Sequence, residues 1–125
     1  HICWWFNNSR TNLIGEINGQ SKIYLWHELT KIGNEKFVTS GWVLLSRNFH
    51  VTQILEAQRF QIQLIRSIAP DISWLTVIHK KNAVALWMAG KSGYKIIEPN
   101  ESMHQIALEF FLGNTSDTNF FVLKR

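Results

Sequence analysis

The sequence predicts an α+β domain: a mainly antiparallel sheet, with one helix near the C-terminus that covers an open face or the mouth of a barrel. Two observations predict this class. Short runs rich in β-branched and aromatic residues are separated by turn-forming segments. A single clear amphipathic helical pattern then occurs over residues 101–112. Because 125 residues are the size of one ordinary domain, residues 1–125 are predicted to form a single domain.

The first two predicted strands flank a turn. Residues 22–31 and 37–45 are rich in aromatic, leucine and β-branched side chains, and GNEK between them supplies turn residues. A helix over 22–32 is the alternative for the first strand, but the β-branched and aromatic bias favours the strand.

The middle of the chain combines two periodicities. VTQILEAQ has apolar residues at helical spacing, whereas FQIQLI alternates apolar and polar residues with period two. The two patterns predict a short helix over 51–58, followed by a strand over 59–67 that ends before Pro70.

Three further strands are predicted over 73–79, 83–89 and 94–98. Polar HKKN and glycine-bracketed GKSG are expected to form the hairpin turns between them. These strands are nearly apolar on both faces, which is typical of a sheet that is covered or that encloses a cavity.

The strongest helical pattern lies in PNESMHQIALEFFLGN. Its apolar stripe consists of Met103, Ile106, Ala107, Phe110 and Phe111. Asn100 is placed to cap this helix, and Phe110 and Phe111 are predicted to be buried against the sheet. A last strand is predicted over 119–124, after the polar loop NTSDT.

Composition limits the classes of protein to which this chain can belong. A hydrophobic content of 46% excludes disorder, and no segment reaches the roughly 20 apolar residues that cross a bilayer. The net charge is +4, but lysines and arginines are dispersed and no nucleic-acid-binding motif accompanies them. Direct binding of nucleic acid is therefore not predicted.

No pattern in the sequence points to catalysis. His27, His50, His79 and His104 are far apart in the chain and form no short ligand pair. The carboxylates fall on separate predicted elements, and GKSG does not match a phosphate-binding loop. The sequence accordingly predicts no catalytic residue, no metal ligand and no cofactor, and the protein is predicted not to be an enzyme.

The segment HICWWF, residues 1–6, is almost entirely apolar, and the chain turns polar at Asn7. Two interpretations stay open. The segment is either the end of a transmembrane helix, where tryptophans are common, or a first strand packed on the core. Cys3 in this segment is the single cysteine, so no internal disulfide is possible.

Six tryptophans and eight phenylalanines are more than a core of this size needs. Core packing is one interpretation of the strand tryptophans. In the other, Trp74 and Trp87 line an apolar pocket for an amphipathic small molecule such as a bile salt. Trp26, Trp42 and Phe121 then anchor a partner protein at exposed strand edges.

With the apolar HICWWF segment, aromatic strands and no catalytic motif, the chain resembles the periplasmic domains of small single-pass proteins of the ToxS, VtrC and PsaF/MyfF type. These proteins accompany membrane-bound transcription regulators in enteric bacteria. The resemblance implies a lipocalin-like or partly open barrel. It also implies a non-enzymatic partner and sensor at the periplasmic side of the inner membrane, anchored upstream. Such a protein would bind and stabilise a membrane-bound virulence-gene regulator and sense a bile salt or pH. The alternative is a cytosolic protein-binding module, such as a toxin-immunity protein.

Overall fold

The computed structural model describes residues 10–48 and 50–125. Six strands are present there: β1 (Arg10–Ile17), β2 (Gln20–Ile32), β3 (Glu35–Leu44), β4 (Ser73–His79), β5 (Lys95–Ile97) and β6 (Phe120–Lys124). Three helices alternate with the later strands: α1 (Val51–Ile68), α2 (Ala83–Lys91) and α3 (Ser102–Leu112). The described residues divide into two compact units, 10–29 with 38–71 and 30–37 with 72–125, called the first and the second unit below.

In the first unit, β1 and β2 form an antiparallel hairpin in which Leu13 pairs with Leu25. Asn18 and Gly19 form the connection, with φ angles of 51° and 74°. An Asn-Gly pair tolerates this left-handed conformation at both positions, which suits the twist of a tight hairpin. The strand β1 lies outside the predicted strands, whereas the predicted strands over 22–31 and 37–45 are confirmed.

The helix α1 runs unbroken from Val51 to Ile68, so the predicted strand over 59–67 is wrong. Its buried residues are Ile54, Leu55, Gln61 and Ile62, a stripe at helical spacing. The apparent period of two arises because Gln61 is buried while Phe60 is 60% exposed. A polar residue inside the stripe and an aromatic residue outside it hid the helical period.

The second unit contains the strand order β4-β6-β5, with both outer strands antiparallel to β6. Val122 at its centre pairs with Val77 of β4 and Ile97 of β5. The buried core of this unit comprises Ile32, Phe37, Leu75, Ile97, Ala107, Leu108 and Val122. The predicted strands over 73–79, 94–98 and 119–124 are confirmed.

The helix α2 replaces the predicted strand over 83–89, and the two predicted hairpins around it are wrong. Asn82 Oδ1 accepts a hydrogen bond from Ala85 N at 3.1 Å, which caps the helix. The segment AVALWMAG also favours a helix because alanine, leucine and methionine are strong helix formers. Gly93, with a φ of 87°, redirects the chain after the helix.

The helix α3 is confirmed, but its buried face is displaced from the predicted stripe. Its buried residues are His104, Ala107 and Leu108. Phe110 is 47% exposed, so its predicted burial is wrong, whereas the partly buried Phe111 packs against the core of the second unit. The N-cap is Glu101 rather than Asn100, and its Oε1 accepts a hydrogen bond from Glu98 N at 3.0 Å.

The predicted fold class is wrong. From β3 onward, strands and helices alternate, a pattern typical of α/β architecture rather than of an antiparallel sheet with one covering helix. Within each unit the strand order is that of an open array, β1-β2-β3 and β4-β6-β5, and not that of a lipocalin-like barrel.

Two expectations are not tested by this architecture. Residues 1–6, including Cys3, lie outside the described residues, and a single domain over 1–125 stays a prediction. Across residues 10–48 and 50–125, no helix combines the length and apolar character needed to span a membrane.

Candidate functional site

The amino end of α1 is the first candidate site. His50 caps the helix: its main-chain oxygen accepts hydrogen bonds from Gln53 N (2.9 Å) and Ile54 N (3.3 Å), and its main-chain nitrogen donates to Gln53 Oε1 at 3.1 Å. Within the described residues, the amides of Val51 and Thr52 have no acceptor, and the first turn holds no acidic residue. Such a helix end carries partial positive charge and favours an anion.

Basic side chains surround the turn that leads into this helix. Lys22 Nζ on β2 donates to Ser46 Oγ at 3.5 Å, and Asn48 N donates to the same hydroxyl at 3.3 Å. These two contacts tie the lysine to the turn. Arg47 and the His50 side chain are exposed beside it. Together with the helix end, these groups are the candidate anion-binding site of the first unit, called the α1 anion site below.

A buried polar group lies further along α1. Gln61 Nε2 donates to Trp26 O at 3.0 Å and lies 3.3 Å from His27 Nδ1. Because a carbonyl oxygen only accepts, the nitrogen of the amide must face this side, and His27 Nδ1 accepts its second hydrogen. Burial also lowers the pKa of His27 below its ordinary value of 6.5. His27 is therefore a neutral imidazole that holds α1 against β2.

Arg10 on β1 supports the same strand pair. Its guanidinium nitrogen lies 3.2 Å from Glu28 Oε1, its partner in the strand register, and its Cζ lies 4.2 Å from the centroid of the Trp26 ring. This contact with a charged group stabilises the position of the Trp26 ring.

A pocket of about 360 Å³ lies in the second unit and is the second candidate site. Ile97, Leu108 and Phe120 line its apolar side, and His104 of α3 borders them. Its polar lining includes Lys80, Glu98, Gln105, Thr115, Ser116, Asp117 and Thr118. This combination suits a small molecule with both apolar and polar parts.

The predicted site residues are spread over both units. In the first unit, Trp26 and Trp42 are partly buried. In the second, Trp74 is 2% exposed and Trp87 is 46% exposed; neither lines the pocket beside His104, whereas Phe121 does. The ligand-binding and partner-binding roles of these five residues stay predictions.

Apart from Phe121, which lines the pocket of the second unit, the residues of both candidate sites were not predicted as site residues. The pattern that could have indicated the α1 anion site is a strand followed by a short basic turn and the start of a helix. Ser46, Arg47 and His50 lie between that strand and that helix. For His104, the sequence indicated only that the residue belongs to an amphipathic helix. Within the described residues, no group of three or more His, Cys, Asp or Glu side chains could hold a metal ion.

No protein-family model and no curated protein sequence match the chain. Solved structures do match it, over nearly its whole length. An acetyltransferase from Agrobacterium tumefaciens strain C58 has a TM-score of 0.63 and 17% identity, over 98% of this chain and 64% of its own. A GNAT-family acetyltransferase from Streptococcus pneumoniae has a TM-score of 0.66 and 9% identity, over 97% and 68%. The N-acetyltransferase PseH of Campylobacter jejuni, in complex with acetyl coenzyme A, has a TM-score of 0.60 and 12% identity, over 98% and 71%.

The fold is that of the GNAT acetyltransferases. This finding overturns the resemblance to ToxS, VtrC and PsaF/MyfF proteins, which rested on the HICWWF segment, the aromatic strands and the lack of a catalytic motif. The predicted non-enzymatic partner of a membrane-bound regulator is contradicted, because the neighbours with this fold are acetyltransferases. The toxin-immunity alternative gains no support from them.

The predicted partners and the predicted location are contradicted as well, because both were inferred from that resemblance. PseH is in complex with acetyl coenzyme A, not with a membrane regulator or a bile salt. The location at the periplasmic side of the inner membrane is contradicted as well, since the GNAT fold replaces the architecture from which that location was inferred.

Proposed function

We propose that this protein binds acetyl coenzyme A and transfers its acetyl group to an amine. The observation that carries the proposal is the GNAT fold, which matches acetyltransferases over 97–98% of this chain. The chain spans 64% of the length of the Agrobacterium protein, so the activity and the substrates are proposed for the part of the fold that this chain represents.

The α1 anion site supports the proposal chemically. Coenzyme A carries a pyrophosphate and a 3′-phosphate, and phosphate oxygens accept hydrogen bonds from main-chain amides at a helix amino end. Val51 N and Thr52 N are placed to donate such bonds, and Lys22 and Arg47 are placed to balance the negative charge. The absence of an acidic residue in the first turn of α1 removes the repulsion that a phosphate would otherwise meet.

The bound acetyl coenzyme A supplies an activated acyl group, a thioester. In the transfer, the amine nitrogen attacks the thioester carbonyl carbon, the carbon–sulfur bond breaks and coenzyme A leaves as a thiolate. The nitrogen loses one proton and the thiolate gains one, which gives the amide and the free thiol. The α1 anion site contributes binding energy at the phosphate end of the molecule, away from the reacting atoms. Its residues are therefore binding residues, and changing them is expected to raise KM more than it lowers kcat.

Isothermal titration calorimetry with acetyl coenzyme A tests the proposal. Arg47→Gln is expected to weaken binding by about tenfold, because charge-assisted hydrogen bonds to phosphate are among the stronger ones. Arg59→Gln is the matched control, since Arg59 is exposed on α1 outside its first turn. Release of the coenzyme A thiol in the presence of primary amines then measures transfer. Absence of binding, or an equal loss of affinity in both variants, would overturn the assignment of the α1 anion site.

A further inference from the structure

An open groove of about 470 Å³ lies beside α3 in the second unit, and it is called the α3 groove below. Ile106 and Phe110, one helical turn apart on α3, line one side of it. Lys31 and Gly33, from the end of β2 and the turn that follows, also line it. A Cβ atom added to Gly33 would lie 3.7 Å from Cγ2 of Ile106, so the turn closely approaches the helix. The groove is therefore bounded by two packed elements of the same unit.

The apolar part of the α3 groove is exposed. Ile106 and Phe110 both face solvent, and Phe110 is 47% exposed. The Phe110 ring packs edge to face on Phe111 with centroids 5.0 Å apart, and Phe111 packs against the core of the unit. Because this contact holds the exposed ring in place, little side-chain freedom is lost when a partner covers it. A preorganised aromatic ring of this kind is typical of the residues that anchor protein–protein contacts.

Two opposite charges accompany the exposed apolar side chains. Lys31 and Glu109 both line the α3 groove and are exposed. Within the described residues, neither of them belongs to an ion pair. A surface that carries both charges complements itself under two-fold symmetry, because Lys31 of one copy then faces Glu109 of the other. This balance of charge favours a second copy of the chain over a partner with one sign of charge.

We propose that the α3 groove is the interface of a two-fold symmetric dimer of this chain. Phe110 of each copy lies in the groove of the other, against Ile106 and the turn at Gly33. Each Lys31 forms an ion pair with Glu109 of the other copy. Contact through one groove buries less surface than an obligate dimer needs, so the dissociation constant lies in the micromolar range. Below that concentration the chain is a monomer, and the interface leaves its free energy of unfolding unchanged.

Sedimentation equilibrium over a series of protein concentrations, from low micromolar to submillimolar, measures the dissociation constant of the dimer. Phe110→Ser is expected to raise this constant about tenfold, because it removes the central aromatic ring. Phe60→Ser is the matched control, since Phe60 is 60% exposed on α1 and does not line the α3 groove. Its dissociation constant is expected to equal that of the wild-type protein.

Two results of this series would overturn the proposal. A wild-type protein that stays monomeric at every concentration would leave the α3 groove to a different kind of partner. Equal weakening in Phe110→Ser and Phe60→Ser would show that self-association follows exposed aromatic surface in general. Neither result bears on acetyl coenzyme A, because the α3 groove contains no residue of the α1 anion site.

Exchange of the two charges tests their pairing across the two-fold axis. Lys31→Glu and Glu109→Lys each place like charges opposite one another, and each is expected to raise the dissociation constant about fivefold. The double variant Lys31→Glu/Glu109→Lys restores opposite charges and is expected to return to the wild-type value. An equal mixture of the two single variants is expected to associate more tightly than either alone, since both contacts of the mixed dimer join opposite charges. A double variant that dimerises no better than the single variants would contradict the pairing of Lys31 with Glu109.

Discussion

The side-chain amide of Gln61 lies 3.3 Å from Nδ1 of His27, and both residues are buried. One residue is on α1 and the other on β2, so this contact sets how the helix lies against the strand inside the first unit. The hydrogen bond forms only while Nδ1 is an acceptor, so it requires the neutral form of the imidazole.

The first prediction concerns pH. Burial lowers the pKa of His27 in the folded protein below 6.5, so the unfolded chain binds a proton more readily between the two pKa values. His27 thus contributes full stability above pH 6.5, and this stability is lost as the pH falls below that value. Between pH 7.5 and 5.5 the loss is at most about 1.4 kcal/mol.

Urea unfolding of the wild-type protein and of His27→Gln at both pH values measures this contribution. The glutamine keeps a side-chain acceptor for Gln61 but does not titrate, so its free energy of unfolding is expected to change less with pH than that of the wild-type protein. An identical pH dependence in the two proteins would contradict a role for His27.

The second prediction compares two glycines. A Cβ atom at Gly41 would lie 2.6 Å from Nε1 of Trp26, whereas a Cβ at Gly90 in α2 meets nothing within 4 Å. Gly41→Ala is therefore expected to cost about 1–3 kcal/mol by overpacking. Gly90→Ala is expected to stabilise the protein by about 0.5–1 kcal/mol, because alanine is the better helix former. Thermal unfolding of both variants checks the opposite signs, and a Gly41→Ala variant as stable as the wild-type protein would contradict the packing of Trp26 over Gly41.

The third prediction concerns the capping of α2. Asn82→Ala removes the acceptor for Ala85 N and is expected to lower the free energy of unfolding by about 1 kcal/mol. Asn100→Ala is the matched control, because α3 begins after Glu101 rather than after Asn100. Chemical denaturation is expected to separate the two variants; similar losses would mean that Asn100 also stabilises a helix end.

The fourth prediction compares two phenylalanines. Phe37 is fully buried in the core of the second unit, and Phe110 is 47% exposed on α3. Phe37→Ala is expected to cost about 3–5 kcal/mol, and Phe110→Ala to change stability by no more than about 0.5 kcal/mol. Urea unfolding measures both losses, and an equal loss in the two variants would contradict the difference in burial between the two rings.

Much of the strand pattern could be predicted from the sequence. The strands over 22–31, 37–45 and 73–79 are confirmed because runs of β-branched and aromatic side chains also lie in the buried parts of the structure. The helix over 101–112 is confirmed for a similar reason, since its apolar residues recur at helical spacing.

The remaining elements depended on contacts that no local pattern contains. Gln61 looks like the polar half of a strand, but its hydrogen bond to Trp26 O makes its burial favourable and lets α1 continue. The run AVALWMAG is apolar enough to form a buried strand, but in the structure it is helical, and Asn82 caps the amino end of that helix. In α3 the buried face shifts from Phe110 to His104, although a phenylalanine is the more hydrophobic residue.

The sequence by itself determined which segments are apolar, where several turns and strands fall, and that its basic residues are dispersed. Tertiary structure decided the fold class and both candidate sites. Lys22 and Ser46 are 24 residues apart in the chain but in hydrogen-bond contact, and His104 lines the same pocket as Asp117. Local patterns report what a segment prefers, whereas a site depends on which distant segments meet, and that is set by the burial of many side chains at once.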